Sequence, residues 1–403
     1  MLMNLNRRAW LLGLAASAVP TTALFAQQSS LSFEQWVETF RAKARKRVSD
    51  QTYDRVMRGL KPDRSVYALQ AAQPEFREQT WQYLNRRVSD WRMVTGKQKV
   101  REHEALLSRI EKDYGVDRYL LLALWGIESA YGDPLVQKNH MRPVFPALAA
   151  LAWGEPRRRA YWEQELLNAL TIVEKGWSTP AEMRGSWAGA MGHTQWMPEV
   201  WLNVGLDYDR DGRVSPFGKP DDALASTASY LVKRGQYRRG ERWGYEVTGV
   251  TVPFHAERTY QAWEAAGVKR ASGQPYSQPK AKARLFVPVA GGPSFLLGPN
   301  FYSVRSYNPS MNYALAIAHL SDRLRGEGPL VKEFPNSERT PTLAEITEIQ
   351  DRLTKAGFDT GGVDGRVGND TMKAVRDYQM KVGLDPADGY AGLKVLARLR
   401  QGG

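Results

Sequence analysis

The sequence predicts a mainly α-helical fold of the α+β class, with a small β-containing insertion and a separate small domain at the C-terminal end. Apolar residues recur every three or four positions over most of residues 33–235, which is the period of a helix. Residues 243–300 are richer in Gly, Pro, Val and Thr and predict short strands and loops. The length of 403 residues allows two or three domains.

The first 26 residues have the composition of a signal peptide. An arginine pair at positions 7 and 8 precedes a short apolar run over residues 9–19, Pro20 ends the run, and small residues follow up to Ala26. We therefore expect a signal peptide over residues 1–26, export by the Sec or the twin-arginine route, and a periplasmic protein. An N-terminal anchor helix is the alternative, although the run is short for a membrane span.

The individual elements follow from periodicity and from the turn residues between them. Asp117 is suited to cap the most apolar helix of the chain, and Pro134 disfavours its continuation. The strand candidates are VTVPFH at 250–255 and LFVPV at 285–289. Helices are predicted over residues 33–110, 117–131, 147–175, 222–235 and 311–325.

A linker and a compact unit end the chain. Residues 326–341 are rich in Gly, Pro and charged residues and lack periodicity, which predicts the linker. The unit at 342–403 contains an internal repeat, because an Asp-Gly-x-x-Gly motif that begins at Asp364 recurs 24 positions later at Asp388. Each Asp-Gly pair predicts a tight turn before a helix.

Glu128 is the candidate catalytic residue. It is the only acid of the most apolar helix after Asp117, and it lies near the C-terminal end. The negative end of the helix dipole and burial both disfavour the ionised carboxylate, so we expect them to raise its pKa. A carboxylic acid that stays protonated near neutral pH can donate a proton to a glycosidic oxygen. A buried Glu that pairs with an Arg or caps a loop is the structural alternative.

Residues 185–198 (GSWAGAMGHTQWMP) are a second candidate functional segment. Their many small residues allow close approach of backbone or ligand. Gln195, Trp196 and Met197 then supply an amide, a stacking face and an apolar wall, which suits the hydroxyl edges and C–H faces of a sugar. A packed turn between helices is the alternative.

Three separated motifs occur in order along the chain: Glu128-Ser129-x-Tyr131-Gly132, the segment at 185–198, and Tyr307-Asn308-x-Ser310. Together they resemble the membrane-bound lytic transglycosylase B family, whose members cut bacterial peptidoglycan. The resemblance covers roughly residues 30–325. Residues 342–401 look like the small three-helix peptidoglycan-binding domain often attached to wall enzymes, with Val395 where Thr is common.

This resemblance implies a lysozyme-like helical catalytic domain over residues 27–325, a linker over 326–341 and a peptidoglycan-binding domain over 342–403. It implies that Glu128 is a single general acid/base that works without a cofactor. Glu128 would protonate the oxygen between N-acetylmuramic acid and N-acetylglucosamine, and would then accept the C6 hydroxyl proton as a 1,6-anhydro ring closes. The substrate's acetamido group is expected to stabilise the cationic centre. Asp133 as a second carboxylate would instead favour a hydrolytic muramidase.

Other family positions carry over onto predicted substrate-binding residues. The resemblance assigns Ser186 and Gln195 to the sugars at the cleavage point, and it assigns Arg157 and Arg158 to substrate carboxylates. A solvated charged loop is the alternative for the arginine pair. Tyr83 is expected to close the groove. The remaining groove residues are Tyr230, Tyr307, Asn308 and Tyr313.

A possible calcium loop follows the second motif. Asp207, Asp209 and Asp211 have EF-hand spacing, but the standard Glu at the twelfth position is missing. The family is known for a longer EF-hand-like loop, which implies a structural Ca²⁺; neutralisation of the acids by neighbouring arginines is the alternative. The ligands would be Asp207, Asp209, Asp211, the Arg213 carbonyl and Asp221.

Composition and missing motifs exclude several classes and bound the partners. The chain has no Cys, which excludes disulfides, Cys-ligated zinc and a lipid attached through Cys, so we expect no stable membrane anchor. Nucleotide-binding and serine-hydrolase motifs are missing. The net charge of +13 falls to +11 without residues 1–26, which contain two Arg and no acid, and this charge suits an anionic wall polymer. A basic surface with no specific partner is the alternative, and we expect no nucleic acid partner. We expect a monomer that binds peptidoglycan glycan strands, with cell-wall synthesis or division proteins as candidate partners. A non-enzymatic wall-binding scaffold is a further alternative.

Overall fold

The computed structural model describes residues 31–71, 78–133, 141–250 and 257–402. The predicted signal peptide and the predicted strand at 250–255, apart from Val250, lie outside the described residues. Helices dominate the described chain and a small sheet is inserted among them, so the predicted mainly α fold is confirmed. Within these residues, no helix has both the length and the apolar character needed to cross a bilayer.

Short helices with polar caps form the first third of the chain. The predicted helical stretch 33–110 is divided, because the side chains of Ser32, Ser49 and Ser89 accept backbone hydrogen bonds and each begins a new helix. The helices are α1 (Phe33–Ala44), α2 (Asp50–Met57), α3 (Ser65–Ala71), α4 (Thr80–Arg87), α5 (Asp90–Glu102), α6 (Glu104–Tyr114) and α7 (Arg118–Ser129).

The predicted helix over 147–175 is also two helices. The Glu155 carboxylate accepts from the backbone N–H groups of Arg157 and Arg158 at 3.2 and 2.8 Å, and a short 3-10 turn at Pro156–Arg158 separates the helices. The elements of this part are β1 (Arg142–Pro143), α8 (Val144–Gly154), α9 (Arg159–Glu174), β2 (Arg184–Gly185), α10 (Pro198–Val204) and α11 (Asp221–Lys233).

The predicted insertion is an antiparallel sheet with one short helix on it. The elements of this part are β3 (Gly244–Thr248), β4 (Glu257–Thr259), α12 (Tyr260–Ala265), β5 (Lys269–Arg270), β6 (Lys282–Phe286), β7 (Ser294–Leu297), α13 (Pro299–Tyr307) and α14 (Met311–Arg325). The strand order is β4-β6-β7-β3-β5, and Trp263 of α12 is fully buried against the sheet. The chain then returns to helices, and α14 has the predicted bounds.

Helix α7 runs through the largest hydrophobic core. The Asp117 carboxylate accepts from the backbone N–H groups of Tyr119 and Leu120 at 2.9 and 3.0 Å and begins the helix, as the sequence predicts. Side chains on all its faces are buried, mainly against α14 and α5, with α6 and α11 also in contact. A second core lies among α1, α2, α8, α9 and α10, so the candidate site is built between two rigid helical bodies.

The C-terminal unit consists of α15 (Leu343–Lys355), α16 (Asn369–Val382) and α17 (Leu393–Arg400) around its own core. Its internal repeat has a physical basis. The Gln350 amide oxygen accepts from Gly365 N at 2.8 Å, and the Gln379 amide oxygen accepts from Gly389 N at 2.8 Å, so one helix glutamine closes each Asp-Gly turn. Val395, where the sequence departs from Thr, is buried in this core.

Glu165 is a carboxyl buried in the core between α9 and α10. It is 3% exposed, and it accepts a hydrogen bond from the backbone N–H of Glu199 at 3.0 Å. Burial raises the pKa of Glu165 from its ordinary value of 4.5 to about 7. The folded protein therefore holds more protons than the unfolded chain between these pH values, and its stability falls as pH rises through this window.

We expect Glu165→Gln to raise the melting temperature at pH 8, because the neutral amide keeps an acceptor for Glu199 N without a buried charge. The difference from the native protein should vanish near pH 4.5 and reach roughly 3 kcal/mol above pH 7. Thermal melts of both proteins over pH 4.5–8 measure this difference in stability.

Glu199→Gln is the matched comparison, since its ion pair with Arg234 lowers the pKa of Glu199 and should make that carboxylate stabilising at neutral pH. This variant should melt at a lower temperature than the native protein at pH 8. An unchanged pH dependence in Glu165→Gln would show that Glu165 titrates normally.

Candidate active site

Glu128 is the point at which the buried helix α7 reaches the surface. Every other residue from 120 to 131 is buried, and Glu128 alone is half-buried. A core helix that exposes one carboxyl at its last turn presents that group with little side-chain freedom. The structure thus gives Glu128 the setting expected of a catalytic acid.

The backbone reverses immediately after this carboxyl. Ala130, Tyr131 and Gly132 have φ values of 52°, 61° and 73° in succession. The Ser129 hydroxyl donates to the carbonyl of His193 at 2.5 Å and accepts from Gly132 N at 3.0 Å. A Cβ on Gly132 would overlap the His193 ring, so this left-handed position requires glycine.

Tyr313 lies directly against the candidate acid. Its phenol donates a short hydrogen bond to Oε1 of Glu128, and its ring is buried. Ser310 caps helix α14 and accepts from the backbone N–H of Tyr313 at 3.3 Å, which fixes the tyrosine at the start of the helix. Burial, followed by the charge of Glu128, raises the pKa of the phenol well above its usual value. Tyr313 therefore remains a donor at neutral pH.

The Gly-rich segment at 185–198 forms the loop beside this pair. Bridges Gly185–Met191 and Met191–Trp196 fold it back on itself. The Ser186 oxygen accepts from the backbone N–H groups of Ala188 and Ala190 at 3.3 and 3.2 Å, which leaves its O–H directed elsewhere as a donor.

Gln195 lies on the same loop in the left-handed region, with φ 55°. Its amide nitrogen donates to the carbonyl of Gly192 at 2.9 Å. A Cβ on Gly192 would overlap the carbonyl of Pro216, so this loop packs tightly on the segment behind it. The predicted small residues are needed for the loop itself, and the polar side chains of Ser186 and Gln195 are held on a rigid frame.

The aromatic residues of the third motif join the same site. The Tyr307 hydroxyl donates to the carbonyl of Thr194 at 2.7 Å, and the Tyr307 and Tyr230 rings meet edge to face at 5.1 Å. Asn308 follows Tyr307 and accepts from Ser310 N at 3.1 Å. The structure therefore brings Glu128, the 185–198 loop and the predicted groove tyrosines together. Their roles in substrate binding stay predictions.

The arginine pair lies exposed at the start of α9. The Arg158 guanidinium stacks on Tyr161 at 4.3 Å and on Trp162 at 4.9 Å, while Arg157 projects from the 3-10 turn. Trp162 contacts Trp187 at 6.4 Å, which connects the pair to the loop that carries Ser186. The sequence analysis did not identify Tyr161 and Trp162. Aromatic residues three and four positions after an arginine on a helix nevertheless predict such stacking.

Tyr83 is fully buried, whereas a side chain that closes an open groove is expected to be accessible. Its side chain is 0% exposed, and the guanidinium groups of Arg86 and Arg87 lie 5.6 and 5.4 Å from the ring centroid. It lies near enough to Tyr313 to contribute to the raised pKa of that phenol. A direct contact between Tyr83 and substrate stays a prediction.

Three of the predicted calcium ligands come together. The carboxylate oxygens of Asp207, Asp209 and Asp211 lie within 4.8 Å of one another, a donor set that suits Ca²⁺. Asp221 does not join this group of described acids. It begins helix α11 and its carboxylate contacts Arg109 at 3.4 Å.

Asp222, which sequence analysis did not single out, holds the calcium-type loop in place. Its carboxylate accepts from the backbone N–H groups of Tyr208 and Ser215 at 2.7 and 3.0 Å. Lys219 reaches Asp209 at 3.2 Å. Asp221 and Asp222 are adjacent, and the sequence does not indicate which of the two carboxylates contacts the loop.

Several solved structures are similar to this chain. SltB3 from Pseudomonas aeruginosa, in complex with NAG-anhNAM-pentapeptide, is 37% identical with a TM-score of 0.70, over 92% of this chain and 99% of that chain. Escherichia coli lytic transglycosylase Slt35, in complex with calcium, is 25% identical with a TM-score of 0.61, over 75% of this chain and 94% of that chain.

Sequence comparison gives the same picture. Membrane-bound lytic murein transglycosylase B of Escherichia coli is 28% identical over 222 residues, which are 54% of this chain, and the chain spans 60% of the length of that relative. The family described as a putative peptidoglycan binding domain matches residues 342–399. The family described as transglycosylase SLT domain matches residues 32–322, which is most of the chain, and the chain belongs to that family.

Proposed function

We propose that the chain is a lytic transglycosylase that cleaves peptidoglycan between N-acetylmuramic acid and N-acetylglucosamine and leaves a 1,6-anhydro ring. The observation that carries the proposal is the environment of Glu128. Its carboxyl reaches the surface from an otherwise buried stretch, and the Tyr313 phenol donates to it. The family membership and the likeness to SltB3, whose crystal holds NAG-anhNAM-pentapeptide, support the same reaction.

The proposed reaction balances with one carboxyl group. Protonated Glu128 donates its proton to the glycosidic oxygen as the bond between that oxygen and C1 of the muramoyl unit breaks. The substrate's acetamido group stabilises the cationic C1. The Glu128 carboxylate then accepts the proton of the C6 hydroxyl, and the C6 oxygen bonds to C1. The acid regains the proton that it gave, and no water is consumed.

Tyr313 has the properties of a positioning residue for this acid. Its phenol stays neutral, so it can donate to the carboxylate that forms after the first proton transfer. A buried ring on a capped helix also limits the directions that the carboxyl can face. Both effects act on Glu128 without requiring that Tyr313 exchange a proton with the substrate.

A hydrolytic muramidase is the alternative on the same fold, and it would use a second carboxylate to activate water or bond to C1. The nearest acid along the chain, Asp133, is ion-paired with Arg366 of the C-terminal unit at 2.9 Å. An acid already engaged across this junction is poorly suited to either task, which favours the single-acid reaction.

We expect Glu128→Gln to lower the release of anhydro-muropeptides from purified wall by on the order of 10²–10⁴-fold, because the amide cannot donate a proton. Mass spectrometry of the soluble products measures the anhydro sugar. Sedimentation with insoluble wall should show unchanged binding.

Glu102→Gln is the matched control, since among the described residues this exposed acid on α5 bonds to nearby Lys99 and Gln98. It should retain native activity. Native products that carry only reducing-end muramic acid would establish hydrolysis instead, and binding without any release by the native protein would establish a scaffold.

We expect Tyr313→Phe to reduce kcat by about 10- to 100-fold with little change in KM, because a hydrogen bond to a charged group contributes about 1.5–3 kcal/mol. The alkaline limb of the pH–rate profile should move to higher pH, since the donor that favours ionised Glu128 is gone. Steady-state rates on a soluble glycan at several pH values test both.

Tyr302→Phe on helix α13 is the control, because its ring lies at the sheet beside Arg284. A Tyr313→Phe enzyme with a native pH profile would limit Tyr313 to a packing role.

We also propose that Asp207, Asp209 and Asp211 bind a structural Ca²⁺, with the Arg213 carbonyl as a further ligand. The three convergent carboxylates support this, as does the calcium bound by Slt35. Asp221 could become a calcium ligand only if its carboxylate gave up the ion pair with Arg109.

Excess Ca²⁺ should therefore raise the melting temperature relative to EDTA, by about 2.7 kcal/mol of stability at a hundredfold excess over Kd. Asp209→Asn should abolish the response, and Asp351→Asn, an exposed acid on α15, should keep it. A native melting temperature that is the same in both buffers would contradict the site.

The predicted location completes the proposal. The basic pair and apolar run within residues 1–26 support export to the periplasm, where peptidoglycan is found. The match of residues 342–399 to a peptidoglycan-binding family supports glycan strands as the main partner.

A further inference from the structure

The C-terminal unit encloses a cavity with helices α4 and α5. The cavity has a volume of about 400 Å³, which is in the range of small-ligand sites. Its walls come from both bodies: Gln82, Arg86 and Trp91 on one side, and residues around Met372 and the Asp388 turn on the other. Neither body forms the cavity alone.

Specific contacts hold the two walls together. Trp81 and Tyr390 meet edge to face at 4.9 Å, and Asn85 donates to the Tyr390 hydroxyl at 2.9 Å. The Asp90 carboxylate accepts from the backbone N–H of Leu343 at 3.0 Å. An aromatic contact and hydrogen bonds on both sides of the opening fix its shape.

The acids of this cavity already have partners. Glu78 pairs with Arg86 at 2.7 Å, and Asp90 accepts the bond from Leu343. Asp388 accepts from Gln82 at 2.6 Å and from Gln379 at 3.1 Å. These carboxylates are therefore occupied in holding the structure together.

The cations keep capacity for a ligand. The Arg86 side chain lines the cavity and is 13% exposed, and its buried Nε has no hydrogen-bond partner among the described residues, so Glu78 satisfies only part of the guanidinium. Arg376 is exposed beside the cavity and makes one long bond of 3.3 Å, to the carbonyl of Asp388. The remaining lining is largely apolar: Leu343, Ile346, Val367, Met372 and Ala391.

We propose that this cavity binds a short peptide with small apolar side chains and a free carboxylate. Arg86 and Arg376 would bind the carboxylate, and the apolar wall would contact methyl side chains. The stem peptides of peptidoglycan have this chemistry, so the inference rests on the proposed function for its source of ligand. The site is separate from the groove at Glu128.

Its position relates it to cleavage. Helix α4 carries Gln82 and Arg86 towards the cavity, and it carries Tyr83 towards Tyr313. Arg366 of the same C-terminal unit pairs with Asp133, five residues after Glu128. A peptide bound here would hold its glycan strand close to the candidate active site.

Calorimetric titration of the full chain with the synthetic pentapeptide Ala-γ-D-Glu-Lys-D-Ala-D-Ala tests the proposal. We expect one binding site, and we expect the C-terminal carboxamide of the same peptide to bind at least about fivefold more weakly. Met372→Trp should fill the cavity and abolish binding. Arg376→Ala, at an exposed position that tolerates truncation, should weaken binding at least about fivefold.

Lys373→Ala is the matched control, since this exposed cation lies on the same helix and pairs with Asp377 outside the cavity. It should bind like the native chain. The variant that lacks both Arg157 and Arg158 should also keep the site, and loss of binding there would place the peptide in the groove and overturn the proposal.

Native affinity in both Met372→Trp and Arg376→Ala, or no heat of binding by the native chain, would also overturn it. Inorganic phosphate that competes fully with the peptide would reduce the site to a general anion site and refute the peptide assignment. Product analysis with Glu128→Gln tests the reaction without this peptide, so the two proposals can fail separately.

Discussion

The position of the candidate acid depends on how the chain reverses after it. Ala130 and Tyr131 adopt positive φ, which costs about 1–2 kcal/mol for each residue that carries a Cβ. Tyr131 offsets this cost by packing: a Cβ on Gly96 or on Gly126 would overlap its side chain, and its hydroxyl donates to the carbonyl of Arg92 at 2.9 Å. The ring is thus locked between α5 and α7. Because the reversal is held from behind, helix α7 can end one residue after Glu128 and leave that carboxyl at the surface.

The charges around the helix end are more balanced than the helix alone suggests. Half-buried Arg92 donates from Nε to the carbonyl of Gly126 at 3.2 Å, and desolvation lowers the pKa of its guanidinium to about 9. A cation at a helix C-terminus offsets the negative end of the dipole. Tyr313 adds a neutral donor on the other side of the carboxyl. These donors favour the ionised form of Glu128, whereas burial and the helix end favour its protonated form. A group that must give and regain a proton needs both forms to be accessible.

Local patterns in the sequence predicted most of the helices and the sheet insertion. They could not predict contacts between residues that are far apart along the chain. Helix α7 has the expected cap at Asp117. Helix α14 has the predicted bounds because its apolar periodicity and Gly326 together mark its two ends. The serine caps that divide residues 33–110 were visible in the sequence, but apolar periodicity continued across them. The contact between Glu128 and Tyr313 joins residues 185 positions apart. The resemblance placed both residues at one groove, and nothing in the sequence predicted that they touch. The docking of the C-terminal unit had no sequence signal, since it depends on single side chains such as Arg366 that look solvated in a charged, Gly-rich turn.

That docking gives a reason for the internal repeat. The turn at Asp364 carries Arg366, which pairs with Asp133 and stacks on Trp91 at 4.5 Å, and the turn at Asp388 contacts Gln82. Two attachment points fix the rotation of a unit that a single contact would leave free to turn. If this unit binds wall polymer, as we propose, its docking would keep the polymer at a constant position relative to Glu128, whereas a unit on a flexible linker would only raise the local concentration of polymer. The repeated turn therefore does more than fold a sixty-residue domain, because its two copies set the angle at which the wall-binding unit meets the catalytic helices.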